Sequence, residues 1–482
     1  MRARTIHSPS STSIATRQWL LVLAGVVGGL ALTYLVIERE WRMAVTIAVT
    51  VPIIGLAAVQ IRYAIFAMIA YLIIMADLRR ILIPFVGWAT TDPLLLVGPA
   101  FAIVLAATAF ATGRAKLDTP LARWIALLIA IMVLQMFNPA QGGLVVGIAG
   151  AMFYIVPLLW YWVGRAYLTE ADVNRLFYVV LIPMAIAAAF MGYYQSFYGY
   201  LPYQDQWYDI AGYTALGAKG IQAPISFFSS SSEFGNFLIV STALLFAVVL
   251  KKKSYPLLIL CAFFLVECFL IGSRGPIVKV LATCAAMWAV LGANRGTWMA
   301  RGALGLVIAV AGLVWSLNQV PSISTTNERI SHRVNRQSEG LLGAAEEGSS
   351  VRGHLGMMIH GYRRGFMNPI GSGLGSTTKA AAKFGGEGMS SEVDASNVFL
   401  STGLPGGIAY HVVMFFMVLT SVRYWERTRS MTGLAIMGLL GCMVLMWLAG
   451  GQYAMSAIVW LCVGALDRMH RDLELSDSRV TE

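Results

Sequence analysis

Two arginines stand where the backbone would hold a guanidinium group rigidly toward an anion. Arg274 lies between two apolar runs in the segment Gly272-Ser-Arg-Gly-Pro276, where glycine and proline shape a kink. Arg352 lies about 60° from the centre of the apolar face of a stretch with helical periodicity. Guanidinium groups bind phosphate oxygens in a fixed geometry, so two of them on one face favour a polyanion such as pyrophosphate. A turn whose arginine reaches lipid headgroups is the alternative for Arg274.

The stretch from Arg352 to Met367 predicts an amphipathic helix that lies against the apolar body of the chain. Its apolar residues recur three and four positions apart, and Asn368 with Pro369 stops the pattern. The apolar face comprises Leu355, Met358, Ile359, Tyr362 and Phe366.

Further candidates for substrate binding flank this helix. Arg329, Arg333 and Arg336 recur at helical spacing and could extend an anion site, but a solvated helix face fits them equally well. The segment Gly371-Ser-Gly-Leu-Gly375 either lets the backbone approach a ligand closely or is simply flexible. The substrate-binding candidates are Arg329, Arg333, Arg336, Arg363, Gly373, Gly375 and Asn397.

Composition identifies the elements that must position these residues as membrane helices. Of 482 residues, 58% are hydrophobic and only 12% are charged, and the mean hydropathy is +0.70, which excludes an average soluble domain. The net charge of +11 is scattered among short loops, so a nucleic-acid partner is disfavoured. All five cysteines lie in apolar runs, and we predict neither disulfides nor a zinc site.

Apolar runs long enough to cross about 30 Å of hydrocarbon recur along the chain. We predict an all-α polytopic integral membrane protein with about 12 to 14 transmembrane helices. The predicted spans are 18–37, 42–58, 61–77, 93–112, 121–137, 144–163, 173–194, 232–250, 255–271, 275–292, 299–316, 396–421, 431–447 and 449–466.

Positive charge in the short loops predicts the orientation, and Arg79 with Arg80 is the exception to the bias. The first helix lacks a cleavage site, so we expect it to be retained. We expect a bacterial inner-membrane protein with a cytoplasmic tail (1–17), eleven helices (18–316), a large periplasmic loop with amphipathic helices (317–395), the last helices (396–466) and a second cytoplasmic tail (467–482).

Several short motifs, in this order, resemble the O-antigen ligase and O-antigen polymerase superfamily of membrane enzymes. The motifs are Asp77-Leu-Arg79, Asp92-Pro-Leu, Phe137-Asn-Pro139, Gly192-Tyr-Tyr-Gln195, Gly272-Ser-Arg-Gly275, Arg352 with Pro369 and Gly371–Gly375, and Asn397-Val-Phe-Leu400. Family members typically carry a histidine directly before that asparagine, whereas this chain has Ser396.

The resemblance implies a GT-C-like fold and a glycosyltransferase that polymerises undecaprenyl-pyrophosphate-linked repeat units of an exopolysaccharide or O-antigen. It also implies that Arg274 and Arg352 bind the pyrophosphate. A ligase that transfers finished polymer to another acceptor is the nearest alternative, and a polysaccharide transporter or flippase is the alternative from another class. Membrane lipids are expected partners, and the participation of a chain-length regulator or a separate flippase stays open.

The proton acceptor has several candidates because the family histidine is absent. Glu392 and Asp394 are the nearest carboxylates to its position, and we predict a catalytic role for both. Asp394 or Ser396 could instead cap the following helix. His354 and His360 are further candidates, although both fall away from the apolar face. The chain has no Asp-x-Asp pair and no His/Cys cluster, so we predict no cofactor and no metal.

Overall fold

The described chain forms a bundle of helices, and shorter helices pack against the ends of several of them. The computed structural model describes residues 26–211, 221–272, 274–319, 327–342, 350–384, 388–389, 393–448 and 452–481. In these ranges the helices are α1 (Val26–Ile37), α2 (Trp41–Val59), α3 (Ile61–Ile81), α4 (Ile83–Val86), α5 (Leu94–Ala111), α6 (Pro120–Gln135), α7 (Leu144–Tyr167), α8 (Glu170–Leu176), α9 (Ile182–Tyr198), α10 (Pro202–Ala211), α11 (Ser231–Lys252), α12 (Leu257–Leu270), α13 (Arg274–Ala289), α14 (Arg295–Gln319), α15 (Glu328–Leu342), α16 (Ser350–Met367), α17 (Lys379–Lys383), α18 (Asp394–Thr428), α19 (Met431–Cys442) and α20 (Tyr453–Thr481).

The helices confirm a polytopic, all-helical membrane protein. In the described part of the chain, 8 helices are long and apolar enough to cross a membrane, counting α8 and α9, joined by the π-helical turn Phe177–Leu181, as one. Four shorter apolar helices accompany them. A helix overlaps the described part of each predicted span, whereas the predicted tail 1–17, residues 18–25 of the first span and residues 449–451 of the last lie outside the described residues. The number of crossings stays a prediction at about 12 to 14.

Three of the differences from the predicted spans concern the last helices. α18 begins at Asp394 and runs to Thr428, but Gly403, with a φ of 66°, breaks it into an upper and a lower half. α19 ends at Cys442, five residues before its predicted end at 447, because residues 443–448 turn back toward the start of α18. α20 continues to Thr481, so residues assigned to the second tail are helical.

The two ends of the bundle differ in what covers them. At one end of the bundle, α15 packs against α9, α12 and α13. At the same end, α10 packs on α3 and α4, and α16 packs on α18. We call this end the loop face and the other end the opposite face. α10 lies in the segment between Phe197 and Ser231 and was not predicted.

The amphipathic helix was predicted with nearly correct bounds, but its packed face was wrong in part. Leu355, Ile359 and Phe366 are exposed by 50%, 56% and 60%. Tyr362 and two buried glycines face α18 instead, and Gly365 lies so close to Phe399 that a Cβ atom would stand 2.8 Å from the Phe399 Cβ. Small residues set the contact because they allow the two helices to approach closely.

α7 and α20 approach each other closely, and glycines make that approach possible. A Cβ atom on Gly164 would overlap the carbonyl oxygen of Leu461, and one on Gly464 would overlap that of Tyr161. Between apolar helices in lipid, packing of this kind supplies the attraction that the hydrophobic effect cannot supply.

Toward the opposite face, the same pair encloses a charge network. The Arg165 guanidinium, which is almost fully buried, forms ion pairs with Asp467 of α20 and with Asp118. Tyr161 donates a hydrogen bond of 2.6 Å to Asp467, and Thr119 donates one of 2.8 Å. Each buried charge therefore has an opposite charge and hydroxyl groups beside it.

We predict that Gly464→Leu separates α7 from α20. The added side chain overlaps backbone, so the free energy of unfolding should fall by about 1–3 kcal/mol or more. Thermal unfolding of the purified protein in detergent measures this, with Gly55→Leu as the control, because no atom lies within 4 Å of a Cβ atom built on Gly55. Equal stability of the two variants would contradict the role assigned to Gly464.

We also predict that Asp467→Leu destabilises the protein strongly, because it leaves the Arg165 charge buried with a weaker partner. Breaking a buried ion pair on one side costs about 3–5 kcal/mol, whereas replacing both sides by apolar residues is close to neutral. The double variant Arg165→Met with Asp467→Leu should thus unfold at a higher temperature than Asp467→Leu alone. A double variant that is less stable than the single one would count against this account.

Candidate functional site

The start of α13 presents positive groups at the loop face. Arg274 is the first residue of the helix, half-buried, and Gly272 before it adopts a φ of 81°. The first turn of α13 contains no acidic residue. Lys279 follows at the next turn, and its Nζ lies 3.2 Å from the Met446 Sδ. A helix N-terminus with two cations beside it is a favourable environment for an anion.

Asp394 lies at the start of α18 and ties that helix to the segment after α19. Its backbone N–H donates to the Leu445 carbonyl at 3.3 Å, and its Oδ2 accepts the Leu448 N–H at 2.6 Å. The N-cap residue of α18 is Val393. The predicted capping role for Asp394 or Ser396 is therefore wrong, because the Asp394 carboxylate bonds to a different segment and the Ser396 hydroxyl donates to the Val393 carbonyl at 3.2 Å.

Tyrosine hydroxyls and a lysine surround the Asp394 carboxylate. Tyr154 shares a hydrogen bond of 2.7 Å with Thr377. The Tyr410 hydroxyl is buried and has no hydrogen-bond partner among the described residues. Asp394 is close enough to interact electrostatically with Tyr154, Tyr410 and Lys279. This group of polar side chains, together with Arg274, forms the candidate site at α13 and α18.

The glycine segment Gly371–Gly375 fills the break in α18. The Ser372 N–H donates to the Leu400 carbonyl at 2.9 Å, and the Gly373 N–H donates to the Ser401 carbonyl at 3.0 Å. In return, the Leu404 N–H donates to the Pro369 carbonyl at 3.0 Å. The segment thus supplies the hydrogen bonds that the broken helix cannot make within itself.

The glycines of this segment are buried against protein. A Cβ atom on Gly373 would stand 2.6 Å from the Gln141 Cβ, and one on Gly375 would overlap the Val146 carbonyl. The Gly375 N–H donates to the Gln141 side chain at 2.9 Å. Simple flexibility is therefore the wrong interpretation, because each glycine permits a close backbone contact. Substrate binding by Gly373 and Gly375 stays a prediction.

Arg333 is buried, so the solvated helix face proposed for it is wrong. Only 5% of its surface is exposed. Its guanidinium donates to the Leu270 carbonyl at the end of α12, at 3.3 Å, and to the Gln222 carbonyl. Burial lowers the pKa of Arg333 to about 10, and the nearby Glu267 opposes that shift. The guanidinium stays charged at neutral pH and stabilises the negative end of α12.

The other two arginines of α15 differ from it. The Arg329 guanidinium packs over Gly199, where a Cβ atom would stand 3.0 Å from its Cζ, and Gly199 has a φ of 94°. Arg336 lies in α15, and its side chain falls outside the described structure. Among the remaining predicted residues, Arg363 and His360 are exposed and Asn397 is buried. Glu392 and the side chains of Arg352 and His354 lie outside the described residues.

Arg79 and Arg80, the exception to the positive-inside pattern, are each paired with an acidic residue at the loop face. The Arg79 Nε lies 3.1 Å from the Asp92 carboxylate, and Arg80 lies 3.7 Å from that of Asp77. Arg80 also stacks on Trp207 of α10, with its Cζ 4.2 Å from the ring centroid. These arginines are paired within the protein, so they do not act as free positive charges on the loop face.

Two polar pairs were missed by the sequence interpretation. The Tyr362 hydroxyl lies 2.9 Å from His411 Nε2, and His411 Nδ1 lies 2.7 Å from the Gly407 carbonyl. The other pair is Lys279 with Met446. A lysine and a histidine inside apolar runs were the signal that could have identified them, because ionisable residues in membrane spans usually have a specific role.

A cavity lies elsewhere, away from these residues. It has a volume of about 310 Å³ and opens at the opposite face, where Glu170, Tyr424, Arg468 and Asp472 line it together with apolar residues. None of the predicted site residues borders it. In the described ranges, no three His, Cys, Asp or Glu side chains come together as a metal site would require.

Comparison with known proteins identifies no relative: no protein-family model matches the chain, and no curated protein matches its sequence.

We predict that Asp394→Ala loosens the start of α18, whereas Asp394→Asn does not. The amide oxygen of asparagine can still accept the Leu448 N–H, but alanine leaves that buried group without its partner, at a cost of about 1–3 kcal/mol. Thermal unfolding of both variants, with the exposed Asp209→Ala as a control, measures the difference. If both Asp394 variants unfold at the wild-type temperature, the carboxylate does not hold this segment.

Proposed function

We propose that the protein is a membrane glycosyltransferase that uses a polyprenyl-pyrophosphate-linked glycan as its donor and polymerises repeat units without a metal or cofactor. The single observation that carries the proposal is the start of α13, where Arg274, the helix N-terminus and Lys279 concentrate positive charge at the loop face. The family resemblance of the surrounding motifs supplies the reaction class.

The charge at α13 suits the bond that this reaction breaks. When the anomeric carbon leaves its pyrophosphate, negative charge develops on the departing oxygen. Guanidinium and ammonium groups that are already in position stabilise that charge better than water does, because they need no reorganisation. Arg352 belongs to α16 at the same face and is proposed as the second pyrophosphate-binding residue.

The acceptor sugar must lose a proton from its attacking hydroxyl, and Asp394 is the proposed acceptor, with Glu392 beside it in sequence. Asp394 lies near Lys279 and therefore near the proposed pyrophosphate site. A carboxylate placed within hydrogen-bond reach of the hydroxyl can serve as the base. Transfer that is abolished in Asp394→Asn while thermal stability is retained would support this role.

We predict that Arg274→Ala abolishes transfer. Removing one preorganised donor to a developing anion lowers the rate by about 10²–10³-fold, and Arg274→Lys should retain more activity because it keeps a charge. The measurement is incubation of the purified protein with undecaprenyl-pyrophosphate oligosaccharide in the absence of metal, followed by sizing of the products.

The matched control is Arg423→Ala, which removes an exposed arginine from the lower half of α18. Its rate should equal that of the wild type. Wild-type rates in both Arg274→Ala and Arg352→Ala would overturn the assignment of these arginines, and the absence of any product from the wild-type protein would overturn the proposed reaction.

Polymerase and ligase activities are separated by the products that accumulate when the gene is deleted. Loss of a polymerase leaves single repeat units on the lipid carrier, whereas loss of a ligase leaves long lipid-linked chains.

A transporter is the second candidate, and the broken α18 favours it. Discontinuous helices at membrane depth are typical of transporter substrate sites, and α18 is interrupted at Gly403 beside the re-entering segment Gly371–Gly375. Movement of the lipid-linked glycan from one leaflet to the other in vesicles that contain the purified protein, with no new glycosidic bond formed, would establish this alternative.

A further inference from the structure

A group of buried polar side chains lies between α15 and the ends of α9 and α12, apart from the α13 and α18 site. Arg329, Arg333 and Gln337 recur every four residues and therefore share one face of α15. That face packs on α9 and α12, whose Ser196 and Glu267 complete the group. We call these five residues the Gln337 cluster.

Most members of the Gln337 cluster keep hydrogen-bonding capacity that no described residue uses. Gln337 is 0% exposed, and neither its amide oxygen nor its amide nitrogen has a partner within the described ranges. The same holds for Glu267 Oε2, Arg333 Nε and Arg329 Nη1. Each buried polar atom without a partner costs about 1–3 kcal/mol, so this much unused capacity in one place indicates a ligand.

The cluster offers both kinds of hydrogen-bonding group. Glu267 can accept, the arginines can donate, and the Gln337 amide can do both. A ligand that matches it must likewise donate and accept at adjacent positions. Vicinal hydroxyl groups on a ring do so, whereas phosphate oxygens only accept when ionised.

Charge balance also argues against a phosphate ligand at this position. Glu267 is close enough to Arg333 to raise the pKa of that guanidinium. Asp205, at the edge of the cluster, interacts with Arg329. Burial and the neighbouring Asp209 raise the pKa of Asp205, whereas Arg329 lowers it. Both arginines therefore already have a carboxyl group beside them, and a polyanion would have to compete with those groups for the guanidinium N–H donors.

From these side chains we infer that the Gln337 cluster is a binding site for a neutral sugar ring of the glycan substrate, separate from the pyrophosphate site at α13. Its identity as a sugar site rests on the proposed function.

α15 also packs on α13, so the sugar site and the pyrophosphate site belong to adjacent helices. A lipid-linked glycan could therefore place its diphosphate at α13 and a sugar of the same or the accepting chain beneath α15. The cluster would set which sugar is accepted, because a site built to bond hydroxyl groups discriminates strongly against a ring that lacks them.

The test uses the full-length protein in detergent with free N-acetylglucosamine, glucose and galactose as probes, and inorganic pyrophosphate as the anionic probe. Saturation-transfer NMR detects single-sugar binding with a Kd of about 1 mM. The informative variant is Gln337→Leu, which keeps the shape of the side chain and removes both polar atoms. It should fold at least as stably as the wild type, because no described hydrogen bond is lost.

We expect at least one neutral sugar to bind the wild type, and its binding to weaken at least about tenfold in Gln337→Leu and in Glu267→Gln, a loss that corresponds to about 1.4 kcal/mol. Ser421→Ala is the matched control, because it removes another buried hydroxyl without a described partner, in the lower half of α18. It should bind the sugar as the wild type does.

Two results would overturn the inference. One is a wild type that binds none of the three sugars, or a Gln337→Leu variant that binds them equally well, which would make the cluster a structural contact only. The other is pyrophosphate binding that is lost in Gln337→Leu but kept in Arg274→Ala.

Failure of this inference is distinguishable from failure of the proposed function. Sugar binding that persists in a protein with no transfer activity would remove the transferase proposal and keep the sugar site. Normal transfer by Gln337→Leu, with unchanged KM for the lipid-linked glycan, would remove the sugar site and keep the transferase.

Discussion

Between apolar helices there is no water to satisfy a polar group, so each charge and each broken hydrogen bond needs a partner from the protein itself. At the opposite face, Arg165, Asp467 and Asp118 share one network, in which each buried charge has an opposite charge beside it. The break in α18 meets this constraint through the backbone of Gly371–Gly375. The Gln337 cluster at the loop face meets it only in part, and the polar atoms without a described partner there carry the inference of a sugar site.

The positive charges at the loop face are therefore not equivalent. Arg79 and Arg80 are matched by Asp92 and Asp77, and they hold the helix ends together. Arg333 is matched by Glu267 and by the carbonyl end of α12. The first turn of α13 contains Arg274 and no acidic residue in its own sequence. In the proposed function, the N–H groups of that turn and the arginine bind the pyrophosphate.

Apolar run length was sufficient to locate the helices, because crossing a bilayer fixes both the length and the composition of a segment. The bounds of α16 were predictable for a similar reason, since periodicity and Asn368-Pro369 are local signals. The packed face of α16 was not predictable, because it depends on where Phe399 lies. The burial of Arg333 and the packing role of Gly373 likewise depend on neighbours distant in sequence.

The upper half of α18, from Asp394 to the break at Gly403, is bonded to the long loop as well as to the rest of its own helix. Its carbonyls at Leu400 and Ser401 bond to the loop, and Phe399 packs on Tyr362 of α16. The loop also bonds the lower half, because the Leu404 N–H donates to the Pro369 carbonyl and the Tyr362 hydroxyl lies 2.9 Å from His411 Nε2. The loop therefore bridges the break at Gly403, and the alignment of the two halves, including the position of the proposed base Asp394, depends on it.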